Sequence, residues 1–319
     1  MSVKTSPPAK NSPAMDSSAQ SRSSTRPGSL LSANVICMVS MLVWAVGLVA
    51  ANVLIPLLPP LALTAARMAL AAVFLLPLWW LAEGSGALRR ANWGLGLAVG
   101  SLIGAGAVLL VIAQALTDAV TVAVVAAATP VVGIALEVVL DRRPITMALI
   151  LGLILSLIGG VMALGGGLGQ VGLGSGALLA LASVVLFTIG SRMTVTAFPT
   201  LTPLGRTGVT ITGAAILVAL AAALIGPAAD WSRLGLREWG ALAVFAIGGI
   251  AISQVLWIMA VGRLGIGAAA LHINAAPFYV MVILFALGGV WNWNQALGAA
   301  IVGLGVLIAQ GLLLPRLAR

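Results

Sequence analysis

The stretch Thr129–Gly159, TPVVGIALEVVLDRRPITMALILGLILSLIG, has a degenerate second copy in residues 276–305, APFYVMVILFALGGVWNWNQALGAAIVGLG. Thr129-Pro130 answers to Ala276-Pro277, 147 positions on, and Leu151-Gly152 with Gly159 answers to Leu297-Gly298 with Gly305, 146 positions on. Upstream, Trp93-Gly94 answers to Trp239-Gly240, again 146 apart. A near-constant offset over this length marks an internal repeat. Each proline stands within a long apolar run, where it removes a backbone hydrogen bond and is expected to bend the helix.

Those runs dominate the chain. Of 319 residues, 61% are hydrophobic and 7% charged, and the mean hydropathy is +1.17. Soluble domains carry about 25% charged residues, so these charges are too few to cover a water-soluble surface. Soluble enzymes, secreted modules and disordered proteins are excluded, and the chain is an integral membrane protein. At about 20 apolar residues per crossing, ten spans are expected, near 31–51, 61–82, 93–114, 120–140, 146–165, 175–193, 203–225, 238–261, 267–288 and 295–314. The breaks fall at Pro56, Pro59 and Pro60, then Glu83 to Asn92, Thr117-Asp118, and Asp141-Arg142-Arg143-Pro144. Further on come the glycine-rich stretch Gly165 to Gly176, Phe198 to Pro203, Gly226 to Arg237, Arg263, and Trp291 to Asn294. Residues 1–29 are rich in Ser and Pro and carry Lys4, Lys10, Arg22 and Arg26, so they are expected to be a disordered basic tail.

A net charge of +9 would suggest nucleic acid in a soluble chain. In a membrane protein it tests topology, because Lys and Arg concentrate in cytoplasmic loops. With the tail inside, thirteen basic residues fall inside, Arg233 and Arg237 fall outside, and Arg67 lies within the second span. Ten helices with both termini cytoplasmic follow, in the inner membrane, and nucleic acid is not expected as a partner. The repeat divides the spans five and five, as residues 30–165 and 175–315. Five is odd, so the second copy must cross the membrane the other way up. The expected fold is therefore an all-α integral membrane protein of ten transmembrane helices in two inverted five-helix repeats. Secondary transporters share this design and place their binding site near the midplane.

Two five-helix repeats, the short Asp141-Arg-Arg-Pro turn after the Pro130 helix, and the Gly-x6-Gly helix that follows resemble the drug/metabolite transporter superfamily. Within it the chain is similar to EamA-domain exporters, and more narrowly to their aromatic amino-acid exporter branch. The acidic residue usual at that turn is matched by Asp141 or by Glu137, one helical turn earlier. The resemblance implies export of aromatic or hydrophobic amino acids, or similar small amphipathic metabolites, by alternating access. It also implies a pocket walled by the first, third, fourth, sixth, eighth and ninth spans.

Polar residues inside spans are functional suspects because hydrocarbon burial is costly. His272 and Asn274 precede Pro277 and Tyr279 follows it, Gln254 and Trp257 lie three residues apart on the eighth span, and Gln114 ends the third. Trp44 and Trp257 lie deep, whereas Trp79, Trp80, Trp93, Trp231, Trp239, Trp291 and Trp293 fall near span ends, where interfacial belts form. A deep Trp either packs between helices or walls a pocket for an apolar substrate. His272, the only histidine, can line the pocket, bond a neighbouring helix or carry a proton, its unperturbed pKa being about 6.5. With no second His, Cys pair or carboxylate cluster beside it, metal binding is the poorest option. Arg67 is able to hold a carboxylate, but near a span end it is expected to snorkel to the interface instead. Glu137 is expected to pair with Arg142 or Arg143. Pro130 and Pro277, at matched positions, suggest paired hinges or gates. Gly96, Gly100 and Gly104 give the third span a smooth packing face. Gly167-Leu-Gly169-Gln-Val-Gly172 matches a dinucleotide pattern only on paper, since no strand precedes it.

No cofactor motif or ATP site is visible, so gradients must supply the energy. Protons are a candidate coupling ion, with His272 as the carrier, and the expected assembly is a monomer moving a small molecule across the bilayer. The rival class is an intramembrane enzyme. An aspartyl protease needs two Asp at depth, which no span has. Ser183 or Ser253 beside His272 lacks the Gly-x-Ser-x-Gly setting of a serine hydrolase.

Overall fold

In hydrocarbon no water can satisfy backbone groups, so an apolar chain this long must close its hydrogen bonds within helices. The computed structural model describes residues 27–116, 125–126, 128–163 and 174–318, and no strand occurs among them. The basic tail up to residue 26, the Thr117-Asp118 break and the Gly167–Gly172 pattern lie outside the described residues. The helices are α1 (Pro27–Leu54), α2 (Pro60–Glu83), α3 (Trp93–Leu116), α4 (Thr129–Asp141), α5 (Met147–Ala163), α6 (Ser175–Thr196) and α7 (Pro203–Ile225). They continue with α8 (Leu236–Leu264), α9 (Ile266–Ala270, a 3₁₀ turn Leu271–Ala275, then Ala276–Ala286) and α10 (Trp293–Ala309). A short helix, Ser85–Arg90, lies between α2 and α3.

Six helices are long and apolar enough to cross a membrane: α1, α2, α3, α6, α7 and α8. The two parts of α9 make a seventh span if the bent pair is counted as one. The elements at the remaining three expected positions, α4, α5 and α10, have 13, 17 and 17 residues.

Packing follows the repeat. α5 packs on α10, α2 on α7 and α4 on α9; α3 packs on α6 and α7, while α8 packs on α1 and α2. Replacing each helix by the one five places on maps this scheme onto itself. The α5–α10 seam shows the symmetry at atomic level. A Cβ on Gly152 would lie 2.4 Å from the Gly305 carbonyl oxygen, and one on Gly159 would lie 2.5 Å from that of Gly298. Gly152 and Gly159 are the repeat mates of Gly298 and Gly305, so the two helices meet antiparallel about a local two-fold. α2 and α7 are antiparallel too: Trp79 lies on Gly205 and Gly208, and Glu83 accepts a hydrogen bond from Thr202.

Many of the closest helix contacts are made by small residues, and many large apolar side chains face outward. Ala33, Ala45, Ala71, Ala113, Ala214 and Ala246 are fully buried, whereas Val139, Leu178, Leu224, Ile225 and Leu236 are exposed. Lipid is as apolar as leucine, so close backbone approach and dispersion drive association instead of solvent exclusion. The Gly96/Gly100/Gly104 face serves this purpose and is laid against Val209, Ala214 and Val218 of α7.

Three expectations are corrected. Pro130 does not interrupt a helix from within; it sits in the first turn of α4, where its missing N–H costs nothing. Pro277 lies in the break between Ala275 and Phe278, where the two parts of α9 meet at 41°. Trp79 is fully buried between Gly205, Gly208 and Trp93 and takes no part in an interfacial belt, whereas Trp80, Trp231, Trp239 and Trp293 are exposed. Arg67 does not snorkel. It is 4% exposed, with its guanidinium 4.6 Å from the centre of the Phe245 ring.

Candidate functional site

The break in α9 gathers polar groups at depth. Between Leu271 and Ala275 the helix tightens to 3₁₀ form, a change that often marks a functional hinge. His272 is buried there, its Nδ1 3.1 Å from the Ala269 carbonyl oxygen. The Cys37 thiol of α1 approaches the same oxygen at 3.6 Å. Asn274 donates from Nδ2 to Ser156 Oγ of α5 at 3.0 Å, and Ser156 donates in turn to the Leu271 carbonyl at 3.2 Å. The Asn274 Oδ1 atom is buried without a partner among the described residues.

α8 carries a different irregularity. Val244–Ile252 forms a π-helix, a form that appears mostly in short pieces and frequently at functional sites. Within it Gly249 meets Gly47 of α1, and either Cβ would lie within 3 Å of the opposing Cα. Directly after it come Ser253, Gln254 and Trp257, all buried. Gln254 Nε2 has no partner among the described residues. Trp257 donates from Nε1 to Ser191 Oγ at 3.1 Å and stacks on Phe187, ring centres 6.1 Å apart, both partners on α6. Trp257, Tyr279, Cys37, Met41 and Leu271 belong to one buried cluster, against which Phe187 and Phe278 pack.

Of the expected site residues, Trp257 and Tyr279 share one buried cluster, His272 and Asn274 lie at the α9 break with Asn274 bonded to α5, and buried Gln254 stands one turn from Trp257. Trp44 and Gln114 are only half-buried and join none of these bonds. Pro130 caps the start of α4, whose Gly133 lies against Gly267 of α9. A depression of about 520 Å³ opens near the end of α9, lined by residues such as Met281, Leu284, Val290 and Asn292, but none of the expected site residues lines it. Ser156, Ser191, Phe187 and Cys37 were not legible as site residues, because serine, cysteine and phenylalanine are ordinary within apolar helices. Replacing Trp257 by Phe keeps the ring on Phe187 but removes the donor to Ser191. A loss of about 1 kcal/mol, or roughly 2–4 °C in a detergent melt, is expected.

The α4–α9 contact is held by charge. Glu137 accepts from the Gly267 N–H at 2.9 Å and forms an ion pair with Arg143. Arg142 occupies the left-handed cap that ends α4, which leaves Arg143 to turn back on the carboxylate. Gly265 allows the approach: its φ is +81°, and a Cβ there would lie 2.3 Å from Glu137 Oε1. Asp141 pairs with Arg192 at the end of α6.

An antiparallel pair of helical repeats, a broken helix and unpaired polar groups in an apolar surround define a multi-pass membrane protein of transporter type. The chain belongs to the EamA-like transporter family, whose model matches it twice, at residues 31–165 and 174–310. It is 29% identical over 112 residues to an uncharacterized transporter, YyaM, of Bacillus subtilis (strain 168), an alignment covering 35% of this chain and 37% of that relative. A crystal structure of a protein with 24% identity superposes with a TM-score of 0.74, covering 91% of this chain and 99% of its own, which shows the shared fold.

Proposed function

We propose that this transporter exports amino acids with aromatic or hydrophobic side chains, or similar small amphipathic metabolites, by alternating access between two inverted repeats. In this reading the units 30–165 and 175–315 supply ten membrane crossings in the inner membrane, with both termini cytoplasmic, and the protein works as a monomer. The observation that carries the proposal is the broken α9, which holds buried polar groups at its break and whose first part packs beside α8. Discontinuous helices at a repeat interface are where secondary transporters bind substrate. The unpaired Gln254 Nε2 and Asn274 Oδ1 offer a donor and an acceptor to a polar head, and Trp257, Phe187 and Tyr279 offer an apolar wall. Glu137 and Asp141, tying α4 to α9 and to α6, act as a closure on the cytoplasmic side.

The test is counterflow in proteoliposomes, with labelled L-phenylalanine and a panel of other amino acids and amphipathic solutes. Exchange of L-phenylalanine above empty liposomes is expected. If only cationic drugs exchange, the multidrug alternative takes its place, and if nothing exchanges, the transport reading fails. His272→Gln separates coupling modes: loss of pH-dependent transport assigns the proton to His272, whereas unchanged pH dependence removes it as the carrier.

A further inference from the structure

Arg67 is the one basic side chain of the chain that the sequence places within a span, and the structure buries it between α2, α3 and α8. A guanidinium stays protonated, so it carries its charge into this position. Its compensation is thin. One Nη lies 3.4 Å from the Ala107 carbonyl oxygen, beyond ordinary hydrogen-bond length, and the Phe245 ring covers one face. Nε is buried with no partner among the described residues.

No described carboxylate reaches Arg67. Glu83 is held by Thr202, Glu137 by Arg143 and Gly267, Asp141 by Arg192, Asp230 by Ser232, and Glu238 by the Gly235 N–H. Asp16 and Asp118 lie outside the described residues. Burying a cation with compensation this thin is costly, which makes the position a favourable one for an anion. The Phe245 contact falls within the π segment of α8, which widens the helix beside the guanidinium.

We infer that Arg67 is an anion-binding group that receives the carboxylate of the transported solute when α2 and α8 part. A planar guanidinium offers two parallel N–H donors to a carboxylate, a fit that an ammonium or an amide lacks. The inference rests on the transport reading above and narrows it to solutes that carry a free carboxylate.

The test is a thermal melt of the purified full-length protein in detergent at constant ionic strength, with chloride replaced by phenylacetate, or with phenethylamine added. Wild-type protein should be stabilised by phenylacetate by about 3–5 °C, as expected for a ligand well above its Kd, and not by phenethylamine. Arg67→Gln should abolish that shift and Arg67→Lys should weaken it. Phe245→Leu, which leaves the guanidinium in place, should retain it and keeps the test valid if Arg67→Gln fails to fold. A wild type indifferent to phenylacetate, as when Asp118 already neutralises Arg67, overturns the inference. So does an Arg67→Gln protein stabilised as much as wild type, or stabilisation seen only with phosphatidylglycerol. Counterflow separates the two readings. L-phenylalaninamide exchanged as fast as L-phenylalanine overturns the carboxylate site and leaves transport standing. An Arg67-dependent phenylacetate shift without exchange of any solute leaves the anion site and sinks the transport reading.

Discussion

Gly152→Leu protein should fail to yield a monodisperse peak on size exclusion, or should melt about 10 °C below wild type in detergent. A Cβ at this position would lie 2.4 Å from both the Gly305 carbonyl oxygen and the Ala309 Cβ, and 2.7 Å from the Ala309 amide nitrogen. Two of the three atoms are backbone, so no rotamer change relieves the clash, and α5 and α10 must separate along their length. Overpacking of a closed interface costs about 3 kcal/mol, and roughly 2–4 °C is lost per kcal/mol in a chain of this size class. In lipid no expelled water rewards a looser fit, so the lost dispersion contacts are not recovered elsewhere. Ser156, one turn along, would carry its bond to Asn274 away with it. Gly303→Leu on the same α10 is the control, because nothing lies within 4 Å of its Cβ position. Equal melting of Gly152→Leu and wild type would show that this seam does not join the repeats.

Glu137→Gln should speed alkylation of Cys37 by a membrane-permeant maleimide at least tenfold. Cys37 is the only cysteine, and it is fully buried against the Ala269 carbonyl, two residues from Gly267. Gln keeps an acceptor for the Gly267 N–H but abolishes the charge that holds Arg143. Hydrogen bonds to charged groups contribute about 1.5–3 kcal/mol, and every 1.4 kcal/mol or so is tenfold in the open fraction. Glu137 is 5% exposed, so water screens the pair little. Asp141→Asn should change the rate by about threefold or less, because the Asp141 side chain is 48% exposed and surface pairs are weak. Wild-type labelling of the Glu137→Gln protein would mean that this carboxylate does not fasten α9 to α4.

Much of the architecture was legible in the chain because it depends on sums over local windows. Too few charges for a wet surface, apolar runs of membrane length and a near-constant offset between Pro130 and Pro277 need no knowledge of packing. The orientation of individual side chains was not legible. Around a helix such as α2 nearly every position is apolar, so no amphipathic period separates the face toward protein from the face toward lipid. Arg67 and Trp79 were therefore assigned to the interface by their distance from a span end, and both turned out to be buried.

The amino-acid sequence by itself determined a multi-pass membrane protein with two EamA repeats, and so a transporter. Tertiary structure alone decided that Arg143 and not Arg142 meets Glu137, and that Asn274 and Trp257 bind serines on α5 and α6. It also decided that Pro130 begins a helix, whereas Pro277 lies at the 41° break of α9. The physical reason is range. Hydropathy and repeat spacing are carried along the chain, whereas hydrogen-bond partners and burial depend on which helices the small-residue seams bring within a few ångströms.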